Sequence, residues 1–87
     1  MFMIEKTFGA LSNPVRIKIV EALGKGELCA CEIPRKVGRA QPTVSQYLKL
    51  LEDAGILSSR RDGKKILYSV RSGAVFDMIK AAKEMEI

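Results

Sequence analysis

Residues 31–54 read as two helices with almost no chain between them, and that pinch restricts the fold more than any other feature. The second helix lies within RAQPTVSQYLKLLEDA at 39–54. It places Val44, Leu48 and Leu51 at i, i+4 and i+7, with Tyr47 and Ala54 flanking the stripe. The first, about 31–37, ends at Gly38, a residue suited to the left-handed position just past a helix. Pro34 falls in its first turn, where the missing N–H leaves no hydrogen bond unmade. Two helices joined by so tight a glycine-containing turn form a helix-turn-helix, whose second helix is the reading element. The outer face of that helix carries Gln41, Thr43, Ser45, Gln46 and Lys49, mostly neutral hydrogen-bonding groups. A solvated face usually holds more Glu and Lys. Gln and Ser reach base edges, so Gln41, Thr43, Ser45 and Gln46 are the candidate base-reading residues. Thr43 and Ser45 also suit hydrogen bonds within the helix.

After Gly55 the period changes from 3.6 to 2. Leu57, Ser59 and Arg61 alternate with Ser58 and Arg60, and Ile66, Tyr68 and Val70 alternate with Leu67 and Ser69. Asp62-Gly63 between the runs is the signal for a type I′ hairpin. The tip, RRDGKK, sets Arg60, Arg61, Lys64 and Lys65 beside the turn. Such cations protect an edge strand from aggregation. Directly after a helix-turn-helix they read better as a wing lying along a phosphate backbone, with Arg39 and Lys49 as further phosphate contacts.

Upstream, residues 2–11 place Ile4, Phe8 and Leu11 on one stripe. Asn13 is a good N-cap and Pro14 suits the first position of a second helix, about 14–24. That helix is apolar over most of its girth, which makes it the centre of the domain. Gly24 and Gly26 end it, and Glu27–Cys31 is a short connector. The last segment, 73–87, puts Val75, Met78, Ile79, Ala82 and Met85 on one stripe, with Phe76 and Ile87 beside it. So much apolar surface on a small domain points to a homodimer through the first and last helices. Its interface candidates are Ile4, Phe8, Val75, Met78, Ile79 and Ala82. The whole chain, 1–87, reads as one mainly α domain with a β-hairpin wing, in the order ααααββα.

The charge is segregated. Residues 33–71 hold nine basic side chains against three acidic, a net +6, and the remainder a net −1. A solubility charge would be spread evenly; this one marks a polyanion-binding surface. No segment pairs lysines with an apolar insertion face, so a membrane is not the partner, and no apolar run approaches the ~20 residues that span a bilayer. No signal segment opens the chain, which leads to the expectation of a cytosolic protein whose Cys29 and Cys31 are free thiols. There is no histidine, no glycine-rich phosphate loop and no nucleophile with an evident base, so catalysis is not expected.

Taken in order, ALSNPVRIKIVEAL, ELCAC, QPTVSQYLKLLEDAGIL, the basic hairpin and the last helix resemble the ArsR-type metalloregulatory repressors over nearly the whole chain. The resemblance implies a winged-helix homodimer that sits on double-stranded operator DNA, represses a resistance or homeostasis operon and leaves when an inducer binds. It also implies that Cys29 and Cys31, in the positions of the family's ELCxC stretch, bind a soft ion. Trivalent arsenic or antimony (arsenite, antimonite) is the foremost inducer, with no permanent cofactor. Three positions depart from the pattern. Pro34 stands where arsenic-responsive relatives often have a third cysteine. The last helix offers Asp77, Glu84 and Glu86 but no histidine. Ala40 replaces a capping Ser, a loss of ~1 kcal/mol of local helix stability.

The cysteine chemistry agrees with a soft ion, because thiolates select such ions over magnesium or calcium. Residues i and i+2 of an intact helix point about 200° apart, so a Cys29–Cys31 chelate requires non-helical backbone there. Two thiols do not close a tetrahedral zinc site, and trigonal arsenic needs a third sulfur from a small thiol or a second subunit. The pair also suits oxidation sensing, through sulfenate or a disulfide with another thiol, or simple packing as small buried hydrophobes. A winged helix used for protein contact is a further alternative, which the charge segregation disfavours.

Overall fold

In the computed structural model, which describes residues 3–86, the elements run α1 (Ile4–Ala10), α2 (Pro14–Ala22), β1 (Leu28–Cys29), α3 (Ile33–Val37), α4 (Gln41–Asp53), β2 (Leu57–Asp62), β3 (Lys65–Val70) and α5 (Ala74–Glu84). Phe2 and Ile87, placed on the first and last helices by the sequence, lie outside the described residues. Asn13 starts α2 as expected: its Oδ1 accepts from the N–H groups of Val15 (2.8 Å) and Arg16 (3.1 Å). A single 3-10 turn at Leu23–Lys25 extends α2 before Gly26, whose φ of 133° suits only glycine. Gly38 (φ 68°) closes α3, its N–H donating to the Pro34 carbonyl at 2.9 Å. Ala40 precedes α4 without a side-chain cap.

The core is built on α2, whose Ile19 and Val20 are fully buried. Ile33 and Val37 of α3 and Val44, Leu48 and Leu51 of α4 pack around them, with Ile56 and Leu57 beneath the wing. The stripe on α4 therefore faces inward as its spacing requires. Burying a side chain such as Leu51 stabilises the fold by roughly 1.5–3 kcal/mol, and this joint core fixes the angle between α3 and α4.

Four expectations are corrected. The order is ααβααββα, because Leu28–Cys29 forms a strand against β3, giving a three-stranded antiparallel sheet in the order β1-β3-β2. A two-residue strand has no readable period, which is why the sequence shows only a connector there. The helix expected from residue 31 begins at Ile33, since the Glu32 N–H donates to the Cys29 carbonyl (2.9 Å) and closes a turn first. The hairpin turn is shifted by one residue: Asp62 pairs with Lys65, so Gly63 and Lys64 make the connection. Only Gly63 of the two has positive φ (63°), the arrangement of a type II′ rather than a type I′ turn. Finally, Val75, expected at a subunit interface, is buried in the monomer's own core. It occupies the first turn of α5, where that helix docks onto α2.

Candidate nucleic-acid interface and thiol site

The candidate functional residues fall in three groups: the outer face of α4, the wing β2–β3, and the cysteine pair on β1 and the turn after it. On α4, Gln41, Ser45 and Lys49 follow one another at one-turn intervals and are exposed, with Gln46 exposed beside them. Thr43 is half-buried at the margin of the apolar side, so it is the least available of the four base-reading candidates. Lys49 lies 3.9 Å from Asp53 one turn on, an exposed pairing that leaves the lysine free to reach an anion. The helix is braced from behind. The Arg16 guanidinium stacks over the Tyr47 ring (5.0 Å to its centre) while its Nε donates to the Ala10 carbonyl at 2.7 Å, tying α1, α2 and α4 together.

The wing is anchored to this helix by Ser59, whose hydroxyl donates to Glu52 Oε2 at 2.6 Å. Arg61, Lys64 and Lys65 project from it and are exposed, as is Arg39 before α4, whose guanidinium donates to the Gly38 carbonyl. Arg60 differs. Its Nε and Nη2 donate to the two oxygens of Glu27, at 3.0 and 2.5 Å. That bidentate hydrogen bonding holds the Glu27 carboxyl below the ordinary glutamate range and raises the Arg60 guanidinium in turn. One of the four wing cations expected on phosphate is thus already engaged, by the residue that leads into the thiol strand.

Cys29 is 4% exposed, whereas Cys31 is exposed. The expectation of free thiols is corrected: the two cysteines are joined as a disulfide across one intervening residue, with Cα atoms 5.2 Å apart. A strand followed by a turn turns both sulfurs to the same side, which a helix at these positions forbids. The Cys31 N–H donates to Cys29 Sγ (3.3 Å), and the Cys29 N–H donates to Glu32 Oε1 (3.1 Å). Cys29 sits opposite Leu67 of β3, and the Ala30 N–H donates to the Ile66 carbonyl at 2.8 Å. The thiol pair is therefore hydrogen-bonded into the wing sheet itself. Among the described residues no group of three or more His, Cys, Asp or Glu side chains converges.

The apolar face expected between subunits is partly present. Ile4 (66%) and Phe8 (56%) are exposed, Met78 and Ile79 are half-buried, and Ala82 is exposed. With Leu11 and Ile17, Phe8 and the α5 residues line a groove of about 220 Å³ between α1, α2 and α5. No helix among the described residues is long and apolar enough to cross a membrane. Sequence reasoning missed Glu27 and Glu32. Glu27 meets Arg60 across 33 positions, a separation with no local signal. Glu32 does carry one, standing three residues past Cys29 at the spacing at which a side chain closes a turn on a backbone N–H.

Comparison with known proteins agrees with this fold. Residues 13–59 match the profile described as "Bacterial regulatory protein, arsR family". The chain is 41% identical over 76 residues to a probable mercury resistance operon repressor from Streptomyces lividans, covering 87% of this chain and 61% of that protein. To an arsenical resistance operon repressor from Staphylococcus aureus it is 36% identical over 69 residues, covering 79% of this chain and 66% of that one. The chain thus spans a little under two thirds of the length of these relatives. The solution structure of the homodimeric winged helix-turn-helix DNA-binding domain of Mb0332 from Mycobacterium bovis superposes with a TM-score of 0.85 at 25% identity, covering 93% of this chain and 78% of that one. With a matched profile over more than half its length and a winged-helix fold around it, the chain belongs to the arsR family of bacterial regulatory proteins.

Proposed function

We propose that this chain acts as a homodimeric repressor on double-stranded operator DNA and lets go when a soft, thiophilic ion binds Cys29 and Cys31. The observation that carries the reading is the approach of Cys31, in the turn after β1, to Cys29 on β1, a strand that belongs to the wing sheet. Reduced, the pair is a two-thiolate pincer, and thiolate donors fit arsenite, antimonite or another soft ion better than a hard one. Bound there, such an ion supplies a rigid bridge between the two sulfurs. Changing the spacing of the Cys29–Cys31 turn pulls on β1, and β1 is held by hydrogen bonds to β3, so the strain goes first to the wing rather than to α3.

On DNA, Gln41, Ser45 and Gln46 face the major groove, with Thr43 at its edge. Arg39, Lys49, Arg61, Lys64 and Lys65 meet phosphates. Gln pairs well with adenine, and no arginine on the outer face of α4 is placed for guanine, which favours an A·T-leaning half-site. Two copies joined through Ile4, Phe8, Met78, Ile79 and Ala82 present two such helices, about 34 Å apart for successive grooves. The test is binding to a duplex from the region upstream of the protein's own gene. Affinity that falls steeply with salt and exceeds that for a scrambled duplex supports the reading. Salt-insensitive binding, or none, refutes it.

A further inference from the structure

Beside the disulfide lies a cleft whose charged side chains the regulatory reading leaves unused. It is lined by Cys31, Glu32, Arg35 and Lys36 and has a volume of about 390 Å³. Arg35 and Lys36 follow Cys31 by four and five positions and are exposed, and neither has an ion-pair partner among the described residues. Glu32 is the one acidic group of the cleft, and its Oε1 is engaged by the Cys29 N–H. The cleft thus presents two free cations around the accessible sulfur of a disulfide whose other sulfur is buried.

We propose that this cleft binds a small thiol bearing carboxylates and delivers its sulfur to Cys31. Arg35 and Lys36 take the carboxylates, and Glu32 suits an ammonium on the same molecule. The chemistry balances as thiol–disulfide exchange. The incoming thiolate attacks Cys31 Sγ, the sulfur that solvent reaches, and forms a mixed disulfide there. The Cys29–Cys31 bond breaks, and Cys29 leaves as a thiolate that takes up a proton. The leaving sulfur is the one that accepts the Cys31 N–H at 3.3 Å, a hydrogen bond that favours the departing anion. A second small thiol attacks the small-molecule sulfur of the mixed disulfide and frees Cys31. Two small thiols are thereby oxidised to one disulfide as the protein pair is reduced. The inference does not depend on which ion induces release. It assigns the step that returns an oxidised pair to its ion-binding form.

The experiment measures reduction of the diamide-oxidised protein by glutathione, an acidic thiol, and by cysteamine, a cationic one. The ratio of the two rate constants cancels the reactivity of the protein disulfide, and comparing the ratio between variants cancels that of the thiols. Arg35→Glu with Lys36→Glu is expected to lower the glutathione-to-cysteamine ratio about fivefold or more, an effect that added salt diminishes. Lys6→Glu with Lys80→Glu, the same charge change on exposed positions of α1 and α5, is expected to leave it within about twofold. Arg35→Gln with Lys36→Gln falls between and serves if the reversed variant does not fold. Alkylation at partial reduction followed by peptide mapping places the glutathione adduct on Cys31. An unchanged ratio, an equal change in the Lys6/Lys80 variant, an adduct on Cys29, or a diamide-treated protein that keeps two alkylatable thiols overturns the proposal. Loss of arsenite response with all these results intact would count against the inducer and not against this site.

Discussion

Replacing Glu27 with Gln isolates the contact that joins the thiol connector to the wing. In the parent protein both donors of the Arg60 fork are committed to Glu27, at 3.0 and 2.5 Å. Glutamine keeps the shape and removes the charge, so Arg60 is released on a wing that already carries Arg61, Lys64 and Lys65. One added phosphate contact steepens the dependence of log affinity on log salt by about 0.9. Between about 50 and 200 mM salt, Glu27→Gln protein should therefore lose about 3.5-fold more affinity than the parent, from a higher starting point at low salt. Fluorescence anisotropy with a labelled duplex measures the slope directly. Arg60→Gln supplies the control: with Arg60 held by Glu27, its loss leaves the slope unchanged. If instead Glu27→Gln leaves the slope alone and Arg60→Gln flattens it by about 0.9, Arg60 already sits on phosphate and Glu27 does not compete for it. The acid side gives a second reading of the same pair. Glu27 is held below its ordinary value by the hydrogen bonds from Arg60, so the contact is complete above the normal glutamate range and is lost as pH falls through the lowered value. Carboxyl carbon NMR should show Glu27 titrating below an ordinary glutamate, and Arg60→Gln should return it there.

Two further outcomes follow from the wing and from the start of α4. Lys64→Gln with Lys65→Gln should flatten the salt slope by about 1.8 and weaken specific and scrambled duplexes alike. A loss confined to the specific duplex would mean that the wing reads bases. Ala40→Ser supplies the missing N-cap of α4 and should stabilise the protein by about 1 kcal/mol, raising Tm by about 4–8 °C in a thermal melt. A serine that leaves Tm unchanged would show that the first turn of α4 needs no cap.

Local chemistry made the helices readable. The Asn13-Pro14 start, the Gly38 stop and the Val44/Leu48/Leu51 stripe each depend on residues within a turn or two of one another, and each has the predicted role. The wing was readable from alternation and its glycine, though not its register: a one-residue shift at Asp62-Gly63 needs the pairing of Asp62 with Lys65 to reveal it. Long-range pairing was not readable. Leu28 and Cys29 are strand residues only because β3 lies beside them, and Glu27 holds Arg60 only because that sheet brings them together. Val75 and Met78 share one helical stripe, yet α5 sinks the first into the core and leaves the second half-buried, a difference set by the angle at which α5 meets α2. The cysteines illustrate both cases. Their spacing required non-helical backbone, which the structure has, while their approach within one turn depends on β1 and on Glu32.

In the proposed regulation the Cys29–Cys31 pair, through β1, controls the grip of the wing on DNA. The most direct measurement is a mobility shift of reduced protein on its own upstream duplex, titrated with arsenite, beside the Cys29→Ser, Cys31→Ser double variant. Arsenite is expected to release the parent, while the double variant binds equally well and stays bound. A double variant that leaves the duplex at the same arsenite concentration would contradict it.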